Sequence, residues 1–287
     1  MAPDFFLLAH SHGVSLLDGM TDWRSALGKD IDPDPRYGQA FQGWFQGSIP
    51  RFPFPASVIG GAPSLKQIVV WLMSAGGGIG PLVGALKPDP AGPPEIPVNP
   101  EYLKVLQSWR GAIPIVSMIN GNEHALTMLK QWPPFDFLEE GIPSMASGVP
   151  IIDDVFIDEH VEPWVAAVFY PLDLLRHATP NPVAHVLPPP PRENPQNSRH
   201  LEILREAISQ YGFAPDQLRL KWYKRYCRRL SARLAAIGCD VLSPSSQACN
   251  SEGLLREDYA EGLTHGNSRY GMLTAHQIES WLHGLRA

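Results

Sequence analysis

Five short runs in this chain are rich in Val, Ile, Leu and Phe and stop at turn residues: 4–9, 56–59, 113–119, 182–187 and 239–242. Successive side chains of a strand point to opposite faces, so a run that is apolar at nearly every position suits a strand buried on both. Helical patterns lie between several of these runs. The clearest covers 218–237, where Trp222, Tyr226, Leu230 and Leu234 recur at four-residue steps and so line one face of a helix. A last helix is predicted from 270 to about 285. Strands alternating with helices place the chain in the α/β class, as a three-layer sandwich around a central, mainly parallel, five-stranded sheet.

A length of 287 residues suits one large core, so 1–287 is read as a single domain. The stretch 132–180 is less regular and mixes acidic with aromatic residues. It is predicted as a lid or insertion, because such segments in α/β proteins sit where ligands bind. Proline-rich 88–100 and 188–195 read as loops rather than domain boundaries.

Composition excludes several partners. The net charge is −6 and the pI near 5.9, so no global field favours a polyanion and nucleic acid is not expected. The basic, aromatic stretch 221–233 carries its aromatics on the apolar stripe and its charges opposite, and is read as the solvated outer face of a helix. No charged residue occurs from 68 to 86, nearly the length of a membrane span. Gly76, Gly77, Gly78, Gly80 and Pro81 would break a spanning helix there. The segment reads instead as an apolar helix over 65–74 followed by a glycine-rich, cleft-lining loop. Cys227, Cys239 and Cys249 suit reduced thiols in a chain of this size, and the first residues resemble no secretory signal. The expectation is a cytoplasmic protein without a membrane span.

In open parallel sheets ligands bind beyond the carboxyl ends of the strands, which singles out the residues after each run. Ala9-His10-Ser11-His12-Gly13 follows the first and Gly60-Gly61-Ala62 the second. The third ends in Asn120-Gly121-Asn122-Glu123-His124, and Glu261-Gly262-Leu263-Thr264-His265-Gly266-Asn267 precedes the last helix. A serine, a glycine, an asparagine and a histidine thus occur in order at sheet-end positions.

That order resembles the SGNH (GDSL-type) hydrolase superfamily, whose four blocks carry those residues. The resemblance implies the flavodoxin-like SGNH fold, with Ser11 as nucleophile and His265 as its base. It implies an oxyanion hole made by the Ser11 and Gly61 backbone N–H groups and the Asn122 side chain. Three positions depart from the usual blocks: His10 replaces the first-block Asp, Glu123 the third-block Asp, and Gly262 the acid three residues before the histidine. Glu261, Asp258 and a backbone carbonyl are the candidates to orient His265.

Such residues serve acyl transfer. A serine hydroxyl attacks only when a base takes its proton, and histidine has the pKa for that near neutrality. Donors aimed at the developing oxyanion stabilise the tetrahedral intermediate. The expected activity is that of a serine esterase, deacylase or acyltransferase acting through an acyl-Ser11 intermediate on a small-molecule or carbohydrate ester, with no cofactor and no metal. Two alternatives stand beside it. Gly262 in place of the acid suits a binding protein that has kept the fold and lost turnover. His10 and His12, with His124 and Glu123, offer the donors of a metal-dependent hydrolase, although Gly13 predicts a turn at Ser11 that would separate the pair.

Overall fold

The computed structural model describes residues 5–9, 12–13, 15–16, 43–48, 67–72, 113–119, 134–144, 148–198 and 205–285. Six strands form one sheet: β1 Phe5–Ala9, β2 Gly43–Ser48, β3 Gln67–Leu72, β4 Ile115–Met118, β5 Val183–Val186 and β6 Asp240–Leu242, in spatial order β2-β3-β1-β4-β5-β6. Strands β3, β1, β4, β5 and β6 are mutually parallel, and β2 adds an antiparallel edge to β3. The sheet is therefore mainly parallel as expected, and among the described residues it has six strands where five were expected. The expected strand at 56–59 lies outside the described residues.

The apolar helix expected over 65–74 is instead β3. Ile68-Val69-Val70 is β-branched at every position, which restricts χ1 in a helix and favours a pleated strand. In parallel order β3-β1-β4-β5-β6 the chain starts at β1, moves to one side and then to the other. The switch point falls between β1 and β4, where the crevice of a doubly wound sheet opens at the carboxyl ends.

Helices cover both faces. Helix α1 (Asp154–Ala178) and helix α3 (Asp216–Ala236) pack on one, α4 (Ser268–Gly284) on the other, and the short α2 spans Arg205–Tyr211. Alternation along β1 decides which side chain goes where. Leu8 joins Ile115, Val183 and the α1–α3 layer, whereas Phe5, Leu7 and Ala9 meet Val116, Met118 and, from α4, Ala275, Ile278 and Leu282. Helix α1 presents Ile157, Val161, Val165, Val168, Leu172 and Leu175 to the core at steps of three and four, as one helix face requires. Asp153 caps its start, its carboxylate accepting from the Val155 N–H at 2.8 Å. Phe137 is fully buried in this layer, and Phe135, Trp164, Phe169 and Tyr170 pack against it. No described helix is long and apolar enough to cross a membrane.

The basic stripe of α3 is solvated only in part: Lys224 and Arg228 are exposed, whereas Lys221 and Arg225 are buried. Lys221 is fully buried and its Nζ lies 2.7 Å from Asp136 Oδ1. Arg225 reaches Glu139 at 2.6 Å, Asp154 at 2.7 Å and Asp158 at 2.9 Å, and Arg229 and Arg233 pair with Glu162. The acidic residues of 134–162 are thus the partners of the basic helix. Desolvating two charges offsets most of such a pair's attraction, so their net stabilisation is small; stranding one partner is what costs several kcal/mol.

One buried polar group ties the centre of the sheet to pH. His185 of β5 is fully buried, its Nδ1 3.2 Å from the Ser117 hydroxyl of β4, and burial pushes its pKa down to about 3. The unfolded chain takes up this proton below about pH 6.5 while the folded chain does not, so stability falls as the pH drops from there towards 3. Between pH 7 and pH 5 the loss from this residue is expected to be about 2 kcal/mol. Urea unfolding of wild type and His185→Gln at the two pH values measures it. An equal fall in both proteins would mean that His185 is not the responsible group.

Candidate active site

Helix α4 brings the histidine from the end of the chain back to the first strand. Its N-cap is Asn267, whose side-chain oxygen accepts from the N–H groups of Arg269 (2.9 Å) and Tyr270 (3.3 Å), satisfying donors that the first turn leaves open. The Asn267 amide also donates to the Asp258 carbonyl at 2.9 Å, closing the loop before the helix. Within that loop β7 (Ala260–Glu261) and β8 (His265–Gly266) form a short antiparallel hairpin. Its turn contains Gly262 at φ +58°, a conformation that costs glycine nothing and most other residues about 1 kcal/mol or more.

A strut from the loop after β5 holds the hairpin. Arg192 donates to the Gly262 carbonyl through Nη1 at 2.7 Å and to Glu257 through Nε at 2.8 Å. Glu193 accepts from the Glu257 N–H at 2.8 Å, and Arg219, buried in α3, donates to the Arg192 carbonyl at 2.7 Å. The proline-rich stretch expected as a plain loop is thus partly buried and clamps the segment that carries His265.

His12 lies on a helical turn beyond the carboxyl end of β1, only 2% exposed. Its carbonyl accepts from the Ser15 hydroxyl at 2.8 Å. Helix α4 crosses this turn at Gly271, where an added Cβ would fall inside the Ser15 carbonyl group and 2.8 Å from the Leu16 Cα. At this crossing the imidazoles of His12 and His265 stack, with ring centroids 4.5 Å apart and planes inclined by 27°. His265 Nδ1 is 3.0 Å from the Thr264 hydroxyl oxygen.

Of the expected site residues, His265 therefore stands at the sheet end beside the turn that follows Ser11 in sequence. Glu261 is its cross-strand partner and is exposed. The Asp258 carboxylate is engaged by Arg256 at 3.0 Å and Arg269 at 3.7 Å. Ser11, Gly61, Asn122, His10, Glu123 and His124 lie outside the described residues. Among the described residues no group of three or more His, Cys, Asp or Glu side chains is placed to hold a metal ion. The three cysteines are free thiols, and burial pushes Cys227 and Cys239 up to about 12, which keeps both protonated and poor nucleophiles. Sequence assigns no role to either Thr264 or Arg192: Thr264 fills an unspecified position of the His265 block, and Arg192 belongs to no motif.

No known family model matches the chain, and no curated protein matches it. Among solved structures it is similar to that of a "putative arylesterase" from Agrobacterium tumefaciens str. C58, at 12% identity and a TM-score of 0.34, over 69% of this chain and 74% of that one. A superposition this loose transfers neither an activity nor a residue role.

Proposed function

We propose that this chain is a divergent SGNH-type serine hydrolase or acyltransferase that forms an acyl-Ser11 intermediate. The observation that carries the reading is the contact between His265 and His12. A histidine from the far end of the sequence is packed on the neighbour of Ser11, beside the switch point of a doubly wound sheet. His265 then takes the Ser11 proton through Nε2. That role requires the proton of the neutral ring to sit on Nδ1, where the Thr264 hydroxyl accepts it. Ser11 N–H and Asn122 Nδ2 serve as oxyanion donors. Gly61 is one source of the remaining N–H; Gly76, Gly77 and Gly78, which follow the strand flanking β1, are the other. Water as acceptor gives hydrolysis and an alcohol gives transfer, with no cofactor in either case.

The test is covalent. A fluorophosphonate probe is expected to label wild type on Ser11, located by peptide mass spectrometry, and to leave Ser11→Ala unlabelled. A label on another residue, or none at all, overturns the serine mechanism. Loss of the label together with any ester turnover would favour a binding protein of this fold, the reading that Gly262 in place of an acid supports.

A further inference from the structure

We propose that His12 is a positioning residue for His265, supplying the ring face that holds the base in register with the nucleophile next to His12 in the chain. The inference rests on the serine-hydrolase reading and adds the means by which a base without a carboxylate at the usual position is kept in place. The usual acid position is occupied by Gly262, whose carbonyl is taken by Arg192, and the nearby Asp258 carboxylate is drawn to Arg256 and Arg269. The Thr264 hydroxyl lies at Nδ1, and an imidazole held at one ring nitrogen can still tilt about that contact. A second contact, made by a flat face, removes that tilt.

His12 has the attributes such a platform needs. It is almost wholly buried, and its backbone is pinned by the Ser15 hydroxyl on its carbonyl. The backbone approach of Gly271 to Ser15 fixes the distance between the His12 turn and the helix that follows His265. A centroid separation of 4.5 Å with planes 27° apart is direct ring contact. His12 is also adjacent in sequence to Ser11, so the stack couples the base to the nucleophile through one peptide unit. A misplacement of about 1 Å in such a pair lowers rate by on the order of a hundredfold.

The test compares His12→Ala with His12→Phe, which keeps a ring face but no ring nitrogen. His12→Ala is expected to lower kcat for a p-nitrophenyl ester by roughly ten- to a hundredfold, with KM changed less than about threefold and the fluorophosphonate rate falling in parallel. His12→Phe is expected to recover most of that loss. The second readout needs no activity. In histidine-labelled protein the carbon-bound ring protons of His265 are expected to resonate upfield in wild type and His12→Phe, and to move towards their ordinary positions in His12→Ala. Wild-type kcat in His12→Ala, or Phe no better than Ala with both folded, overturns the proposal. Unshifted His265 resonances in wild type do so as well, even should His12→Ala fail to fold. Shifted resonances without labelling at Ser11 would instead refute the hydrolase reading and leave the packing role intact.

Discussion

Alanine at position 265 is expected to lower hydrolysis of short-chain p-nitrophenyl esters by on the order of a thousandfold or more, whereas Thr264→Val should cost only about tenfold. In the proposed serine mechanism, removing the imidazole would leave no base for the Ser11 proton at neutral pH, and the residual rate would come from oxyanion donors and binding alone. Thr264 has the smaller part. Its hydroxyl can orient the ring, being 3.0 Å from Nδ1, but as a neutral group it brings no negative charge to the imidazolium formed in the transition state. Removing a triad carboxylate costs on the order of 10⁴ in rate; removing an orienting hydroxyl should therefore cost far less. Steady-state kinetics of the two variants checks both figures. Full activity in His265→Ala would remove it as the base, and a Thr264→Val loss as deep as that of His265→Ala would mean that the hydroxyl does more than orient.

Gly271→Ala is expected to destabilise the protein by roughly 3–5 kcal/mol and to lower its Tm by about 10 °C. The added Cβ is fixed to the helix backbone and the atoms it meets are themselves backbone, so no side chain can swing aside. Helix α4 would have to lift from the turn after β1, loosening the packing of Leu16, Ala275 and Ile278 and carrying His265 away from His12. Ester activity should fall with stability for that reason. Gly284→Ala, at the end of the same helix with no atom near the added Cβ, is the control and should be close to neutral. Equal melting temperatures for Gly271→Ala and wild type would show that α4 does not pass the turn as closely as described.

The α/β class was legible in the sequence, for a physical reason. Strands β1, β4 and β5 are buried in a parallel sheet, and such strands write themselves as short continuous apolar runs; β6, at the sheet edge, exposes Asp240 and only half-buries Val241 and Leu242. The long helix Asp216–Ala236 was legible from its four-residue period, and the last helix, expected from 270 to about 285, runs over Ser268–Gly284. Strand β3 reads as a helix because its five successive apolar residues, Ile68–Leu72, carry no decisive period, and β2 gives no strand signal because Gly43 and Gly47 weaken it. The extra edge strand and the count of six followed from those two.

The site divides in the same way. Ser11 and Asn122 are legible as candidate residues after apolar runs, His265 as one before the last helix and Gly262 as a gap in the expected block; of these, the described residues include His265 and Gly262. That His265 meets His12, that Arg192 holds the Gly262 carbonyl and that Thr264 faces Nδ1 are not visible there. Nor is the burial of Lys221 and Arg225, since a basic stripe reads the same whether it faces water or the carboxylates of Asp136 and Glu139 more than eighty positions away. Periodicity, caps and turn residues are set by neighbours along the chain, so the sequence alone determines the class, the helix Asp216–Ala236 and the types of chemical group available; the longest described helix, Asp154–Ala178, falls instead in the stretch 132–180 read as a lid or insertion. Which of those groups touch is set by layers packing at close range, as at Gly271 and Ser15, and only the tertiary structure decides it.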